Sequence, residues 1–389
     1  MPSDFESRVE AKAKEIIEAG TSYDYILDVW KSRHFGADIV GKVLLISVGP
    51  GSIKNSKGIH VQICGKAGSG KSDAAITMSK LIDPKFVLNS DVTPQALFYP
   101  IEGFVDSSVV FIDDIVWKSD LGASVKKITS KFQDGADRTV TTDGIGKKQF
   151  SKKRLTFWVT SVDSQADEQI RDRFILVESD SSAAHLAKCL EMLKAKDAGE
   201  TTSVKESEFE TAVCHYIIRD IKEFFDDFGE VIIPFAKNIE FEYDLRAYTM
   251  FSDMVKSFAV FAKGARQFDE DCRLVATEED FHRAVELFTE FGGHSADKYT
   301  KAELNFLEML SFNGYRATKA EMCTLTGKSM GYIGDLLTGR GKGDQQKHGL
   351  FYKCSSLTTD GKRPYTLILQ EDWAKEIGTG SKITLKRKT

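Results

Sequence analysis

The spacing of apolar positions changes character along the chain. Residues 1 to about 45 show helical spacing, with a charged first stretch and then Tyr25, Ile26, Val29 and Trp30 on one side of a predicted helix over 23–32. From about 55 to 178 short apolar runs of strand length alternate with helical stretches. Strands are predicted at 61–64, 109–113, 155–160 and 174–177, with a helix over 71–82, the signature of an α/β fold. From about 183 to 292 the pattern is purely helical. In 244–262, for example, Tyr248, Phe251, Val255, Phe258 and Ala262 recur at three- and four-residue spacing and give one apolar face. The glycine-containing stretch 292–297 reads as a linker. Beyond it the pattern predicts helices at 301–312, 319–325 and 329–337, then strand arms at 350–353 and 365–369 flanking the turn 359–363. This is a winged-helix pattern, a module that binds DNA or docks proteins, and Gly331 and Gly334 in its third helix leave both open.

Length and composition narrow the class. A chain of 389 residues is long enough for two or three domains, each with its own core. The pattern divides it into a helical segment 1–45, an α/β core 46–180, an all-helical lid 181–293, a winged helix 297–375 and a basic tail 376–389. No run approaches the roughly 18 apolar residues of a membrane span, and the charged N-terminus is unlike a signal peptide. A cytoplasmic or nucleoid-associated protein with no membrane partner is expected. The six cysteines form no C-x-x-C pair, so reduced core thiols are expected rather than a zinc site. A net charge of −5 argues against indiscriminate coating of nucleic acid, yet Lys147, Lys148, Lys152, Lys153 and Arg154 lie close together.

Candidate chemistry begins at Gly65-Lys66-Ala67-Gly68-Ser69-Gly70-Lys71-Ser72, a complete G-x-x-x-x-G-K-S phosphate loop between a predicted strand and a predicted helix. Gly65, Gly68, Ser69 and Gly70 would bend backbone N–H groups around phosphates, Lys71 would reach the outer phosphates, and Ser72 would hold Mg²⁺. ATP and Mg²⁺ are the expected ligands. The apolar run 109–112 ends in Asp113 and Asp114, which suits a Walker B strand. Asp113 would bind the metal, and Asp114 would orient and deprotonate the attacking water. Thr160 and Ser161, ending the next predicted strand, are candidates to sense the γ-phosphate or merely to cap a helix. Arg171 and Arg173, just before the fourth strand, are candidate arginine fingers toward a neighbouring subunit or ordinary surface cations. Residues 138–150 read as a hairpin around a glycine turn, with Lys147 and Lys148 at or just past its tip, placed to hold phosphates.

With these motifs in place, residues 34–375 resemble the AAA+ core of minichromosome maintenance (MCM) replicative helicases, especially the shortened forms of mobile elements. The stretch 34–47 looks like that family's helix ahead of the phosphate loop, and Gly103-Phe104-Val105-Asp106 leads into Walker B as it does there. The lysine hairpin falls where the family carries its presensor-1 hairpin. Arg173-Phe174 matches its arginine-finger position, Asp244-Leu245-Arg246 its sensor-2 arginine, and 276–281 opens its last lid helix. Walker B ends in Asp-Asp where the family has Asp-Glu. The resemblance implies a P-loop NTPase core with an all-α lid and a C-terminal winged helix. It implies further a homo-hexameric ATP-dependent DNA helicase with ATP at subunit interfaces, where Arg173 and Arg246 reach the neighbour's nucleotide. DNA, single-stranded or forked, and a loader or replisome protein are the implied partners. Superfamily 3 viral initiator helicases resemble the chain less closely, and an ATP-controlled DNA-binding scaffold or regulator without unwinding activity is the alternative.

Overall fold

The computed structural model describes residues 4–161 apart from 35, 37, 67, 90, 91, 100–103, 143 and 144. It also describes 173–179, scattered positions between 187 and 199, 204–291 apart from 243, and 301–385 apart from 341–346, 355, 362–364, 372 and 374–382. The chain forms two compact units, 1–294 together with 383–389, and 295–382.

The first unit opens with α1 (Asp4–Glu18), α2 (Ser22–Arg33) and α3 (Asp38–Ile46). Strand β1 (His60–Cys64) leads into α4 (Lys71–Ser79), and β2 (Val87–Asn89) and β3 (Val109–Ile112) follow. Helix α5 (Asp120–Ser130), the hairpin β4 (Asp137–Thr142) and β5 (Ile145–Phe150), then β6 (Thr156–Ser161) and β7 (Phe174–Glu178) complete the α/β part. Its five-stranded parallel sheet has the order β2-β3-β6-β1-β7. Parallel strands need crossovers that cover both faces, so these strands are apolar on both sides. Val61, Ile63, Val109, Phe111, Trp158, Ile175 and Val177 join one cluster, while the alternating Val110, Ile112, Phe157, Val159 and Phe174 join the other.

The first cluster continues without a break into α1–α4 and into α6 (Val204–Asp227), α7 (Leu245–Phe261) and α8 (Glu278–Glu290). Phe251, Phe281 and Phe288 are fully buried there, each contributing about 1.5–3 kcal/mol of transfer free energy. Asp244 caps α7 by accepting from the N–H groups of Arg246 and Ala247, both at 2.8 Å. Thr277 and Asp280 form a capping box that starts α8. The interval read as purely helical also holds short strands. Parallel β8 (Val231–Ile232) and β10 (Leu274–Val275) make one pair, and β9 (Ile239–Phe241) pairs antiparallel with β16 (Ile383–Leu385) from the segment read as a basic tail. Ile383 is buried in the main core, which an apolar-polar-apolar triplet inside a basic run did not signal.

Helix α7 is fastened to the segment that leads into β1 and to the end of α3. Its buried Asp253 accepts from the N–H groups of Lys57 at 2.7 Å and Gly58 at 3.1 Å, and Ser257 Oγ donates to Ile46 O at 2.7 Å. A Cβ on Gly49 would lie 2.0 Å from Ser257 Oγ, so only glycine admits this close approach. Helix α6 performs the same task at the amino end of the sheet. Lys222 donates to Val48 O at 3.0 Å and Ser107 O at 2.8 Å, while the Arg154 guanidinium lies 3.6 Å from the Phe225 ring centroid and donates to Gly51 O. Burial, and then the neighbouring Arg154, push the Lys222 ammonium down to about 7.

The second unit contains α9 (Lys301–Phe312), β11 (Arg316–Thr318), α10 (Lys319–Thr326), α11 (Met330–Thr338), β12 (Gly339–Arg340), β13 (Lys347–His348), α12 (Leu350–Lys353), β14 (Leu357–Thr359) and β15 (Thr366–Leu369). Strands β11, β15 and β14 form an antiparallel sheet in that order, and its core includes Phe306, Leu310, Ile333, Leu337 and Leu367. The arm expected at 350–353 is a helical turn. Leu350 and Cys354 are both buried, and i, i+4 spacing on a turn brings both into the core where strand alternation joins Leu350 to the exposed Tyr352. The arm partnering β15 is β14 instead. The linker at 292–297 lies outside the described residues. Among the described residues no helix is long and apolar enough to cross a membrane.

Candidate nucleotide site

The phosphate loop joins β1 to α4. Gly68 and Gly70 hold φ of 78° and 79°, left-handed values that an L side chain adopts only with strain. A Cβ at Gly68 would meet nothing within 4 Å, and one at Gly70 would meet only His34 at 3.9 Å, so these glycines border open space. Lys71 is buried, and its Nζ donates to Gly65 O at 2.9 Å and Lys66 O at 3.0 Å. An ammonium has three protons, and the loop carbonyls take two.

Strand order places the polar groups together. Because β6 lies between β1 and β3, its carboxyl end stands between the phosphate loop and the acids that follow β3. Ser72 Oγ donates to Asp113 Oδ1 at 2.7 Å, and Thr160 Oγ1 donates to the same carboxylate oxygen. The Thr160 hydroxyl also accepts the Asp114 N–H at 2.8 Å, and its carbonyl accepts the Ile115 N–H at 2.9 Å. These bonds hold Asp114 at a positive φ of 46°, a conformation that aspartate tolerates better than most residues. Both aspartates are exposed. Of the two strand-end candidates, Thr160 is the one bonded to Asp113, whereas Ser161 accepts the Gly65 N–H through its backbone carbonyl at 3.3 Å.

Neighbours that sequence reading did not single out brace the loop. His34, at the end of α2, places Nδ1 2.7 Å from Asp73 Oδ2, and its ring lies 4.7 Å from that of Trp30. Trp30 Nε1 in turn donates to Ala74 O at 3.2 Å. On the other side Ser69 Oγ lies 2.6 Å from Ser179 Oγ, while the Ser179 N–H donates to Cys64 O. Asp73, directly after Gly-Lys-Ser, is the only sequence cue to the first contact, since His34 lies 39 residues earlier.

Arg173 and Arg246 are the two arginines expected to reach a neighbouring subunit's nucleotide. Arg173 directly precedes β7, whose Phe174 pairs with His60 at the start of β1, so it stands at the opposite end of the sheet from the phosphate loop. The strand rise separates the two by about 13 Å. Its Nη1 donates to Lys126 O at 2.9 Å. Burial, then Arg173, push the imidazole of His60 down to about 3, and its Nδ1 accepts the Phe157 N–H at 3.2 Å. Arg246 occupies the exposed first turn of α7. Arg171 lies outside the described residues. The lysine hairpin forms, but Lys147 and Lys148 are the third and fourth residues of β5, opposite Val140 and Thr139, rather than tip residues. The ladder runs through Thr142 and Ile145, and the residues between them, 143–144, lie outside the described residues.

The donor set suits a nucleotide polyphosphate and Mg²⁺, with left-handed glycines, a buried ammonium and a hydroxyl–carboxylate pair of hard oxygen donors. A protein of Methanothermobacter marburgensis, named uncharacterized protein MTBMA_p00010, is 23% identical over 180 residues, covering 44% of this chain and 22% of that protein. The chain thus matches about a fifth of this relative's length. The family described as the MTBMA_p00010 P-loop domain matches residues 7–224, from α1 through the sheet to α6, which is more than half of the chain. The chain belongs to this P-loop family.

Proposed function

We propose that the protein is an ATP-driven DNA translocase of the MCM-like AAA+ type, a replicative helicase or helicase-initiator of a mobile element, working as a homo-hexamer. Lys71 and the glycine loop would hold the ATP phosphates, and Ser72 with Asp113 would hold Mg²⁺. The cation would neutralise charge developing on the phosphates. Asp114 would orient the attacking water, and Thr160 would keep both aspartates in register. Arg173 is about 13 Å along the sheet from its own loop, which supports action on a nucleotide bound by a neighbouring subunit. Arg246 would reach the same interface from the helical lid. The second unit, with helices α9, α10 and α11 and the antiparallel sheet of β11, β15 and β14, would serve as the winged helix.

The observation that carries this reading is the basic hairpin inserted between the acid-bearing strand β3 and the strand β6 that bears Thr160. Residues 126–154, which are the hairpin with the end of α5 before it and the segment leading into β6 after it, hold nine Lys and Arg against three Asp, in a chain whose net charge is −5. An insertion of that charge between the two strands that flank the catalytic acids suits a device through which hydrolysis moves a polyanion. The test is ATP hydrolysis and forked-duplex unwinding by the full chain, with and without single-stranded DNA, alongside its mass by light scattering. Stimulated hydrolysis with unwinding supports the translocase. Nucleotide-dependent DNA binding without unwinding replaces it with an ATP-controlled scaffold.

A further inference from the structure

The two hairpin lysines do not share a face. Cross-strand partners lie on the same side of a β-ladder, and successive residues on opposite sides. The register Arg138↔Gln149 and Val140↔Lys147 therefore puts Lys147 with Arg138 and Gln149, while Thr139↔Lys148 and Asp137↔Phe150 put Lys148 with Thr139 and Phe150. The first face is occupied by protein at Arg138, while Lys147 on it is exposed. Arg138 Nε donates to Gln149 Oε1 at 2.8 Å, and its guanidinium lies 4.8 Å from the Phe98 ring centroid and 5.3 Å from that of Tyr99.

The second face is open. Phe150 is 63% exposed on it, and Lys148 and Thr139 are exposed beside it. Its one carboxylate, Asp137, is taken by Lys131 at 2.9 Å. What remains is a bare aromatic ring and an ammonium one pleat apart, about 7 Å. A ring presented to solvent accepts any nucleobase by stacking, and a lysine beside it holds a phosphate as a point charge.

Resting on the translocase reading, we infer that the Thr139, Lys148 and Phe150 face grips single-stranded nucleic acid, one base stacking on Phe150 and a phosphate held by Lys148. Lys147 contributes less, since its own face of the hairpin sets Arg138 and Gln149 beside it and no aromatic residue of the ladder. The surplus of basic residues over 126–154 matches a polyanion and argues against an acid-poor apolar partner.

The test is fluorescence anisotropy of a labelled oligo-deoxythymidine with the full chain, without nucleotide, over a salt series. Thermal melting is run in parallel to confirm that each variant is folded. Phe150→Ala should weaken binding by about 5- to 150-fold, the range for one stacked base, with Phe150→Trp restoring it. Lys148→Ala should make the log–log salt slope shallower by about 0.7, and Lys147→Ala by less than half of that. Equal effects of the two lysines, or unaltered binding by Phe150→Ala, would overturn the assignment while leaving the translocase reading in place. Loss of self-association by Phe150→Ala with oligonucleotide binding retained would reassign the face to a subunit contact. A wild-type chain that binds no oligonucleotide either without nucleotide or with ATP would remove both.

Discussion

The two ends of the parallel sheet treat charge in opposite ways. At the carboxyl end Lys71 bonds, among the described residues, to the carbonyls of its own loop, Asp113 and Asp114 stay exposed, and Asp114 sits at a positive φ. At the amino end Lys222 is buried between two backbone carbonyls, Arg154 is clamped on Phe225, and His60 is buried and held neutral. Lys222, Arg154 and His60 are consumed by folding, each satisfied by a fixed partner. The groups at the carboxyl end keep bonding capacity and local strain, the mark of groups left available to a ligand. Removing a side chain of the carboxyl-end group should therefore affect turnover, and removing Lys222, Arg154 or His60 should affect stability.

The largest separation is expected from Lys71→Ala, which should lower ATP turnover by on the order of 10²–10³-fold or more with little change in melting temperature. A wild-type rate in that variant would dissolve the contrast. Asp114→Asn should reach a similar loss while retaining nucleotide binding by equilibrium titration, because Asp113 and Ser72 remain. Arg154→Ala is the converse experiment. It removes the stacked cation and the bonds to Gly51 O and Ser107 Oγ, and should cost about 2–4 kcal/mol in denaturant unfolding with nucleotide affinity unaltered.

Thr160 tests where the boundary between the two regimes lies, since its hydroxyl is buried yet bonded to the exposed acids. Thr160→Val keeps the shape and removes both the donor to Asp113 and the acceptor for the Asp114 N–H. Turnover should fall by about 10-fold to 10²-fold, with a stability cost of about 1–2 kcal/mol. Thr160→Ser should recover most of both. A Thr160→Val variant that loses stability alone would place Thr160 with the structural groups.

How far the sequence revealed this arrangement follows the same division. The phosphate loop, the strand ending in Asp113 and the strand ending at Thr160 and Ser161 were legible because local spacing encodes them. The bond that joins Ser72 to Asp113 depends on strand order, which no local pattern carries. The Thr160 bridge, the His34–Asp73 contact and the burial of Lys222 are likewise long-range. The arm expected at 350–353 became a helical turn because tertiary packing of Leu350 and Cys354 overrode the β-preference of an aromatic run. Strand alternation also separated Lys147 from Lys148, which adjacency in sequence had grouped.

The smallest expected effect is the most specific to the amino end. Lys222 titrates near 7 in the folded chain against about 10.4 when unfolded, because burial opposes its charge. Between those values the unfolded chain binds a proton that the folded chain does not, so stability rises with pH across this window. Below about 7 both states are protonated and the penalty of the buried charge is present in full. The gain from Lys222 approaches about 1.4 kcal/mol per pH unit above 7. Lys222→Met removes the titration but orphans Val48 O and Ser107 O, so its absolute stability should drop while its pH profile flattens. The difference between wild type and variant, measured by urea unfolding at pH 7, 8 and 9, should therefore widen steadily with pH. A constant difference would mean that Lys222 stays charged in the folded protein. Its carbonyl bonds would then be those of an ammonium, and the amino end would hold a buried cation of the kind that the carboxyl end holds in Lys71.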